Sequence, residues 1–220
     1  MSDKGRLIVI SGFSGAGKGT LMKELMRQYP EGYALSVSAT TRQPRPGEQD
    51  GVDYFFVSRE KFETMIAKEE LVEYAQYVGN YYGTPKAYVE QQLSAGKNVI
   101  LEIEIQGALK IKEKFPDAVL MFVTAPSAGV LHERLVGRGT ETPEVVAARL
   151  SRACEESEGI ENYDYLVVND TVETATELID HLICNQRSGD AERNEAYRVS
   201  SNIDFINEIR QELKSFSKGE

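Results

Sequence analysis

The sequence lacks the excess of basic residues that nucleic-acid-binding proteins usually carry. Among its 220 residues, 35 are Asp or Glu and 25 are Lys or Arg, which gives a formal net charge of −10 and a pI of about 4.9. A nucleic-acid partner is therefore not expected. The same acidity means that a few well-placed cations must bind any phosphate group, because the overall field repels it.

Cysteines and long apolar runs are also scarce. The two cysteines, Cys154 and Cys184, lie far apart without a Cys-x-x-Cys pair or a nearby histidine, which predicts reduced thiols and no zinc site. The sequence shows no signal peptide and no apolar run near the length of a membrane span. We therefore expect a cytoplasmic protein without a membrane partner, long enough for one domain with inserted lobes.

The most informative stretch is a glycine-rich turn near the N-terminus. Residues 7–10 form a short apolar, β-branched run that predicts a buried strand, and residues 18–28 predict a helix. Between them, residues 12–18 match Gly-x-x-x-x-Gly-Lys. A strand, this turn and a helix are the context of a phosphate-binding loop, and an ordinary glycine-rich turn is the alternative.

Each part of this loop has a chemical role. Its glycines allow backbone conformations that are closed to other residues, so successive N–H groups can point inward and bind an anion. Those glycines are Gly12, Gly15 and Gly17. The following helix adds its positive N-terminal end, and Lys18 adds a mobile charge that can follow a phosphoryl group during transfer. Gly19 stands where Ser or Thr is usual and the hydroxyl comes at Thr20, which weakens the expectation that the loop itself ligates magnesium.

Arginines occur in two clusters, the first on a loop over residues 40–48. Arg42 and Arg45 bracket Pro44, which stiffens the segment between them. In a protein this acidic, two guanidiniums on a stiffened loop indicate a phosphate clamp, because arginine binds phosphate with two parallel hydrogen bonds. A solvated surface is the alternative.

The second arginine cluster lies on a predicted helical hairpin over about residues 127–158. Arg134 and Arg138 are four residues apart and share a helix face, and Arg149 and Arg152 share another. With a glycine on each side of Arg138, the hairpin predicts a lid that can close on a polyphosphate. Surface ion pairs with neighbouring glutamates are the alternative.

The remaining pattern alternates short buried strands with helices, which predicts a parallel α/β sheet. Antiparallel signals interrupt this pattern over about residues 37–90, where Gly79-Asn80 predicts a β-hairpin turn, so we expect an inserted lobe there. The strand predicted over residues 98–103 ends in Glu102 and Glu104, which project to one side of the strand or straddle its end. Since open parallel sheets bind ligands beyond the carboxyl ends of their strands, one of these carboxylates can reach magnesium through water. A chance acidic strand end is the alternative.

Several segments, taken in order along the chain, resemble guanylate kinases. Besides residues 12–20, they are 36–45 (SVSATTRQPR), 51–56 (GVDYFF), 73–76 (EYAQ), 79–84 (GNYYGT), 101–107 (LEIEIQG), 138–141 (RGTE) and 168–170 (VND). Each motif is modest alone, but the ordered set is specific. The resemblance covers about residues 5–185 and leaves 187–220 outside.

The resemblance implies an α/β fold and a reaction. The expected domain of residues 1–185 has a P-loop kinase core (about 5–36, 97–126 and 160–185) with a parallel sheet flanked by helices. To this core the family adds a mixed α/β GMP-binding lobe (about 37–90) and a helical lid (about 127–158). The implied reaction is magnesium-dependent transfer of the γ-phosphoryl group of ATP to GMP or dGMP.

The resemblance also implies roles for residues that match the family motifs. The implied catalytic residues are Lys18, Arg42, Arg138 and Arg149. The implied ATP-binding residues are Gly12, Ser14, Gly15, Ala16, Gly17, Lys18, Gly19, Thr20, Arg134, Arg138 and Asn169. The implied GMP-binding residues are Ser38, Arg42, Arg45, Tyr54, Glu73, Tyr82, Thr84 and Glu104. Thr20 and Glu102 are the candidate magnesium contacts, directly or through water. Glu104 stands where an aspartate is more familiar and Thr84 where serine is frequent, and both keep the chemical type.

Two other functions are compatible with this fold. One is a non-catalytic guanylate-kinase-like module that binds phosphopeptides, which the intact loop and Lys18 argue against. The other is a kinase of the same fold with another phosphate acceptor, which Glu73 with the Ser38 and Thr84 hydroxyls argues against. The sequence leaves a homo-oligomer open. Residues 186–201 are polar and predict a flexible linker, followed by an amphipathic C-terminal helix that docks on the body of the protein or on a partner.

Overall fold

The computed structural model describes residues 4–77, 79–137 and 142–217. Two compact units make up this part of the chain. One contains the described part of Met1–Ile8 together with Pro30–Ala118, and the other contains Val9–Tyr29 with the described part of Val119–Glu220.

The larger sheet has five strands and confirms the predicted parallel α/β architecture. In spatial order they are β2 (Tyr33–Leu35), β7 (Asn98–Glu102), β1 (Leu7–Gly12), β8 (Val119–Thr124) and β9 (Tyr165–Val168). The pairs β2–β7 and β8–β9 are parallel, with Tyr33 opposite Asn98 and Met121 opposite Tyr165. β8 is buried at every position, as expected for a parallel strand covered on both faces.

A second sheet, four-stranded and mixed as the antiparallel signals predicted, lies in the first unit. In spatial order its strands are β4 (Phe55–Phe56), β3 (Ala39–Thr40), β6 (Asn80–Pro85) and β5 (Leu71–Tyr77). β3 pairs with β4 in parallel, whereas β6 pairs antiparallel with both β3 and β5. Its helices are α2 (Arg59–Ala67), α3 (Lys86–Ser94) and α4 (Ile105–Lys114). Phe62 of α2 is buried against this sheet and stacks on Tyr81 with ring centroids 5.1 Å apart.

The second unit is mainly helical around β8 and β9. Its α-helices are α1 (Lys18–Gln28), α5 (Ala128–Val136), α6 (Pro143–Ser157), α7 (Val172–Ser188) and α8 (Ile203–Ser217). Short 3-10 helices cover Ile160–Asn162, Ala191–Tyr197 and Val199–Ser201. Within the described ranges, no helix combines the length and apolarity that crossing a bilayer requires.

The stretch 186–201, predicted as a flexible linker, is structured instead. α7 extends into it, and two of the 3-10 helices complete it. Asn194 is buried there, where its Nδ2 donates to Leu182 O (3.0 Å) and its Oδ1 accepts from Asn185 Nδ2 (2.8 Å). The prediction was wrong because it took a polar composition as a sign of disorder. A buried asparagine whose polar groups are hydrogen-bonded to α7 is compatible with an ordered segment.

Replacing Asn194 tests whether this segment contributes to stability. Asn194→Ala should lower the free energy of unfolding by about 1–3 kcal/mol, because it leaves a sheltered amide donor without its partner. Arg193→Ala is the matched control, since Arg193 is exposed and lies 3.8 Å from an exposed Asp190 carboxylate. Urea unfolding followed by circular dichroism measures both, and equal midpoints for the two variants would contradict the assignment.

Candidate active site

The glycine-rich loop between β1 and α1 has the backbone conformation that its glycines predicted. Gly12, Gly15 and Gly17 have φ values of 155°, 91° and 87°. A Cβ on Gly12 would lie 2.1 Å from Val123 O, so no other residue fits there. Lys18 folds back over the loop and donates to Gly12 O (2.8 Å) and to the next carbonyl, of Phe13 (3.2 Å). The loop therefore carries its ammonium charge beside the N-terminus of α1.

Asn169, directly after β9, is packed against this loop. Its Nδ2 donates to Ala16 O (2.7 Å), and a Cβ on Gly17 would lie 2.6 Å from that nitrogen. The residue is 3 % exposed, and its Oδ1 has no hydrogen-bond partner within the described ranges. Asn169 thus fixes the loop with one end of its amide and presents a sheltered acceptor with the other.

Two of the three arginines predicted to serve ATP lie in this same unit. Arg149 of α6 donates from Nη1 to Ser14 Oγ (2.6 Å), so it reaches the phosphate loop. Arg134, in the last turn of α5, donates from Nη2 to Asp170 O (3.2 Å), while its sheltered Nη1 lacks a hydrogen-bond partner among the described residues. The third, Arg138, lies outside the described residues. Arg152 instead forms the surface ion pair that was the alternative, with Glu156 at 3.0 Å.

In the first unit, Arg42 is held by a carboxylate that the sequence analysis missed. Arg42 Nη1 and Nη2 donate to the two oxygens of Glu48 at 3.0 and 2.8 Å, and the Arg42 side chain is only 15 % exposed. The backbone N–H of Arg45 also donates a hydrogen bond to Glu48 Oε2 at 2.7 Å, whereas the Arg45 side chain is exposed. The Arg42 guanidinium, followed by the Arg45 N–H, lowers the pKa of Glu48 to about 2. A separation of six residues across a Pro-Gly loop has no periodicity that could have signalled this pair.

Aromatic rings surround the Arg42 guanidinium. It lies over the ring of Tyr54, 5.3 Å from the centroid, and 5.9 Å from the centroid of Phe56. Tyr54 and Tyr82 contact each other edge to face at 6.2 Å. The structure therefore brings together Arg42, Tyr54 and Tyr82, three of the eight residues implied to bind GMP. The faces of the rings stabilise the cation in place.

A buried carboxylate lies in the same unit, on β5. Glu73 is 6 % exposed, and its Oε1 accepts a hydrogen bond from Thr84 Oγ1 at 2.8 Å. Burial raises the pKa of Glu73, an effect that the Thr84 hydrogen bonds and the nearby Lys110 partly offset. Its Oε2 faces the first turn of α4, where a Cβ on Gly107 would be 3.5 Å away. Gly107 therefore lies against the second carboxylate oxygen, a contact that the sequence analysis did not single out.

The remaining predicted residues differ in their placement. Ser38, just before β3, is half-buried in the unit that contains Glu73. Glu102 is the exposed last residue of β7, and Glu104 is the exposed N-cap residue of α4, so the two straddle the strand end. His132 stacks on Phe216 with centroids 5.3 Å apart, which agrees with a structural role.

The two candidate magnesium contacts carry hard oxygen donors, Thr20 in the second unit and Glu102 in the first. Thr20 is exposed in the first turn of α1, and a Cβ on the preceding Gly19 would have nothing within 4 Å, so the loop leaves open space there. Among the described residues, no three His, Cys, Asp or Glu side chains converge into a metal cluster. An exposed hydroxyl in the first turn of α1 fits Mg²⁺, which usually keeps several waters and binds through substrate phosphates.

Comparison with known proteins identifies close relatives. A family model described as guanylate kinase matches residues 4–186. A guanylate kinase of Halalkalibacterium halodurans is 55 % identical over 181 residues, covering 82 % of this chain and 88 % of that protein. One of Desulfitobacterium hafniense is 54 % identical over 183 residues, covering 83 % and 91 %. The crystal structure of guanylate kinase from Anaplasma phagocytophilum matches with a TM-score of 0.67 and 32 % identity, covering 84 % of this chain and 87 % of that one.

The raised pKa of Glu73 makes a prediction about stability and pH. Because the folded protein holds the Glu73 proton more tightly than the unfolded chain, the ionised carboxylate destabilises the fold. The fold therefore loses stability as the pH rises from 4.5, the ordinary pKa of a glutamate, through the raised pKa of Glu73. Glu73→Gln should therefore unfold at higher urea than the wild type at pH 8 without nucleotide, and the difference should shrink towards pH 5.

The matched control is Glu70→Gln, an exposed carboxylate one residue before β5. It should leave the urea midpoint unchanged at both pH values. A Glu73→Gln protein less stable than the wild type at pH 8 would show that the carboxylate stabilises the fold and would refute this account.

Proposed function

This chain belongs to the guanylate kinase family and transfers the γ-phosphoryl group of ATP to GMP, and we propose that its two residue groups divide this work between donor and acceptor. The group around the glycine-rich loop serves ATP, and the group around Arg42 and Glu73 serves GMP. The observation that carries this assignment is Glu73, a buried carboxylate with one oxygen fixed by Thr84. A buried anion of this kind is costly unless a ligand supplies donors to it.

The donor group binds ATP mainly through backbone and cationic side chains. The N–H groups of residues 12–20 and the N-terminus of α1 surround the β- and γ-phosphates. Lys18 leaves its contacts with loop carbonyls to follow the transferring group, and Arg149, already at Ser14, adds charge from α6. Arg134 and Arg138 belong to the same set. The sheltered Oδ1 of Asn169 is suited to accept a hydrogen bond from the amino group of adenine.

The acceptor group binds the GMP phosphate through Arg42, Arg45, Tyr54 and Tyr82. The two parallel hydrogen bonds between Arg42 and Glu48 have the geometry with which a guanidinium binds a phosphate. The tyrosine rings keep that guanidinium in place. Arg45 contributes its backbone to the loop and has an exposed side chain for the remaining phosphate oxygens.

Guanine recognition rests on Glu73 with Ser38, Thr84 and Glu104. Guanine presents N1–H and the N2 amino group as adjacent donors, and an ionised carboxylate is an acceptor only. Adenine has a lone pair at N1, which the carboxylate repels. Hydroxyl groups at Ser38 and Thr84 can donate towards O6, where adenine carries a competing amino group. Of these, Thr84 is bonded to Glu73.

The reaction needs no catalytic base from the protein. An oxygen of the GMP phosphate attacks the γ-phosphorus, the bond to the β–γ bridging oxygen breaks, and ADP leaves with the electron pair. Such transfers depend on alignment and on neutralising charge spread over the equatorial oxygens, which Lys18 and the arginines supply. The GMP phosphate is itself a competent nucleophile, so no Ser-His-Asp or Cys-His arrangement is required.

Magnesium is proposed as the cofactor, entering with ATP. When bound, it supplies positive charge at the β- and γ-phosphate oxygens. Thr20 and Glu102 are the residues that would hold it, with Glu102 acting through water. The acidic composition supports the proposal that the protein has no nucleic-acid partner. The cytoplasmic location expected from the sequence stays a proposal.

Substrate selection tests the acceptor assignment. With ATP as donor, the ratio of kcat/KM for GMP to that for AMP should be large, of the order of 10⁴–10⁵ for sites that use buried polar groups in this way. dGMP should be accepted and dTMP rejected. Glu73→Gln should lower the GMP to AMP ratio, because its amide donor faces the guanine donors, and Glu104→Gln should lower it less. An unchanged ratio in folded Glu73→Gln would remove Glu73 as the residue that recognises the base.

The division between donor and acceptor is tested by two arginine variants. Arg42→Ala should chiefly raise KM for GMP, and Arg149→Ala should chiefly lower turnover or the use of ATP. Losing one such contact in the transition state typically costs about 10²–10³ in kcat. Arg152→Ala is the control, because this arginine lies on the same helix as Arg149 but pairs with Glu156. Identical defects in Arg42→Ala and Arg149→Ala would refute the division.

A further inference from the structure

The C-terminal helix α8 lies outside the segment that the family model matches, yet it is packed into the second unit. The match ends at residue 186, whereas α8 covers Ile203–Ser217. Its buried side chains, Ile206, Ile209 and Leu213, recur every three to four residues and form one apolar face. α8 packs chiefly on α6 and also contacts α5. The helix is therefore an added element that covers the two helices carrying Arg134 and Arg149.

One polar contact joins α8 to the beginning of α5. Glu212 Oε2 accepts a hydrogen bond from the backbone N–H of Ala128 at 2.7 Å. Ala128 is the first residue of α5, where backbone N–H groups have no partner within the helix. A carboxylate at this end also complements the positive end of the helix dipole. Glu212 thus satisfies and orients the start of the helix that ends with Arg134.

A second polar contact joins α8 to the end of α6. Arg210 donates from Nε to Ser157 O at 3.1 Å, and Ser157 is the last residue of α6. The Arg210 side chain is 12 % exposed and also pairs with Glu161 at 2.6 Å. A cation here satisfies an otherwise unpaired carbonyl and complements the negative end of the dipole. Both contacts are made at helix termini, so they fix where each helix lies along its axis.

We propose that α8 positions α5 and α6, the helices of the predicted lid, for binding ATP. Glu212 and Arg210 are the positioning residues. The path is short and continuous: α8 holds α6, and Arg149 of α6 reaches Ser14 of the phosphate loop at 2.6 Å. Losing either contact leaves a helix terminus unsatisfied and lets α5 or α6 shift, which moves Arg134 or Arg149 away from the phosphates. This inference rests on the proposed donor-side roles of those two arginines.

The test compares ATP and GMP parameters in full-length variants. Glu212→Ala and Arg210→Ala should each weaken ATP binding and lower kcat, while KM for GMP stays within about twofold of the wild type. Residues that couple to a site without touching its ligand typically change it by about 2- to 30-fold. ATP binding is measured by calorimetry with a non-hydrolysable ATP analogue and magnesium, which requires no turnover. The kinetic parameters come from a coupled assay for ADP.

Two controls separate positioning from a general loss of stability. Glu208→Ala removes an exposed carboxylate from the same helix and should leave both substrates unaffected. Glu212→Gln keeps an oxygen acceptor for Ala128 N–H and should restore ATP binding to within about twofold of the wild type, even if Glu212→Ala unfolds. The Gln variant keeps the proposal falsifiable because a requirement for a carboxylate unrelated to this hydrogen bond would leave it defective.

The outcomes distinguish this inference from the proposed function. A donor-side defect in Arg149→Ala, combined with ATP parameters in folded Glu212→Ala and Arg210→Ala that equal the wild type, would overturn only the role of α8. Equal losses for ATP and GMP in the α8 variants would also overturn it, because positioning of the lid helices predicts a selective effect. Wild-type protein that fails to phosphorylate GMP with ATP would instead overturn the proposed function.

Discussion

The close approach of β8 to the end of β1 constrains the glycine-rich loop and, with it, the proposed donor site. The carbonyl of Val123 occupies the space where any side chain at position 12 would begin, so the chain can turn there only with glycine. From this turn follow the left-handed conformations at Gly15 and Gly17 and the entry into α1. Asn169 and Arg149 then contact the loop itself, at Ala16 and Ser14. A backbone contact thus determines where the positive charge of the site collects.

The acceptor residues show how two carboxylates of one unit acquire opposite properties from their surroundings. Glu48 lies on a loop, where the Arg42 guanidinium and the Arg45 N–H favour its ionised form. Glu73 lies in the interior, where burial favours its neutral form, and the Thr84 hydrogen bonds and nearby lysines only partly offset that effect. Glu48 is therefore stable as an anion without a ligand. The anionic form of Glu73 is stabilised further when a ligand donates hydrogen bonds to it. This difference supports the proposal that Glu73 recognises the base.

Local patterns predicted much of the fold, and motif resemblance supplied the candidate residues. The phosphate loop was predictable because its glycines and Lys18 act within a few residues of one another, and the parallel sheet because buried strands alternate with helices. The pairing of Arg42 with Glu48 was not, since it depends on how an irregular loop folds back on itself. For a related reason the sequence left open whether α8 docks on the body or on a partner, and it wrongly predicted a flexible linker before that helix. Asn194, Arg210 and Glu212 look like surface residues in the sequence, and only the tertiary structure shows that their partners are backbone groups and side chains of distant helices.

Any anion that binds the Arg42 guanidinium in the same way must first displace the Glu48 carboxylate. Glu48 is tethered a few residues away, so its effective concentration at Arg42 is far higher than that of a free carboxylate, typically of the order of millimolar even for flexible links. With a pKa of about 2, it remains charged throughout the physiological range, and mild acidification does not release the site. Free carboxylates offer the same chemistry without the tether, so we expect them to compete poorly with Glu48 for Arg42. A phosphate monoester brings more charge and a third oxygen, and we therefore expect the pair to favour phosphorylated ligands over free carboxylates.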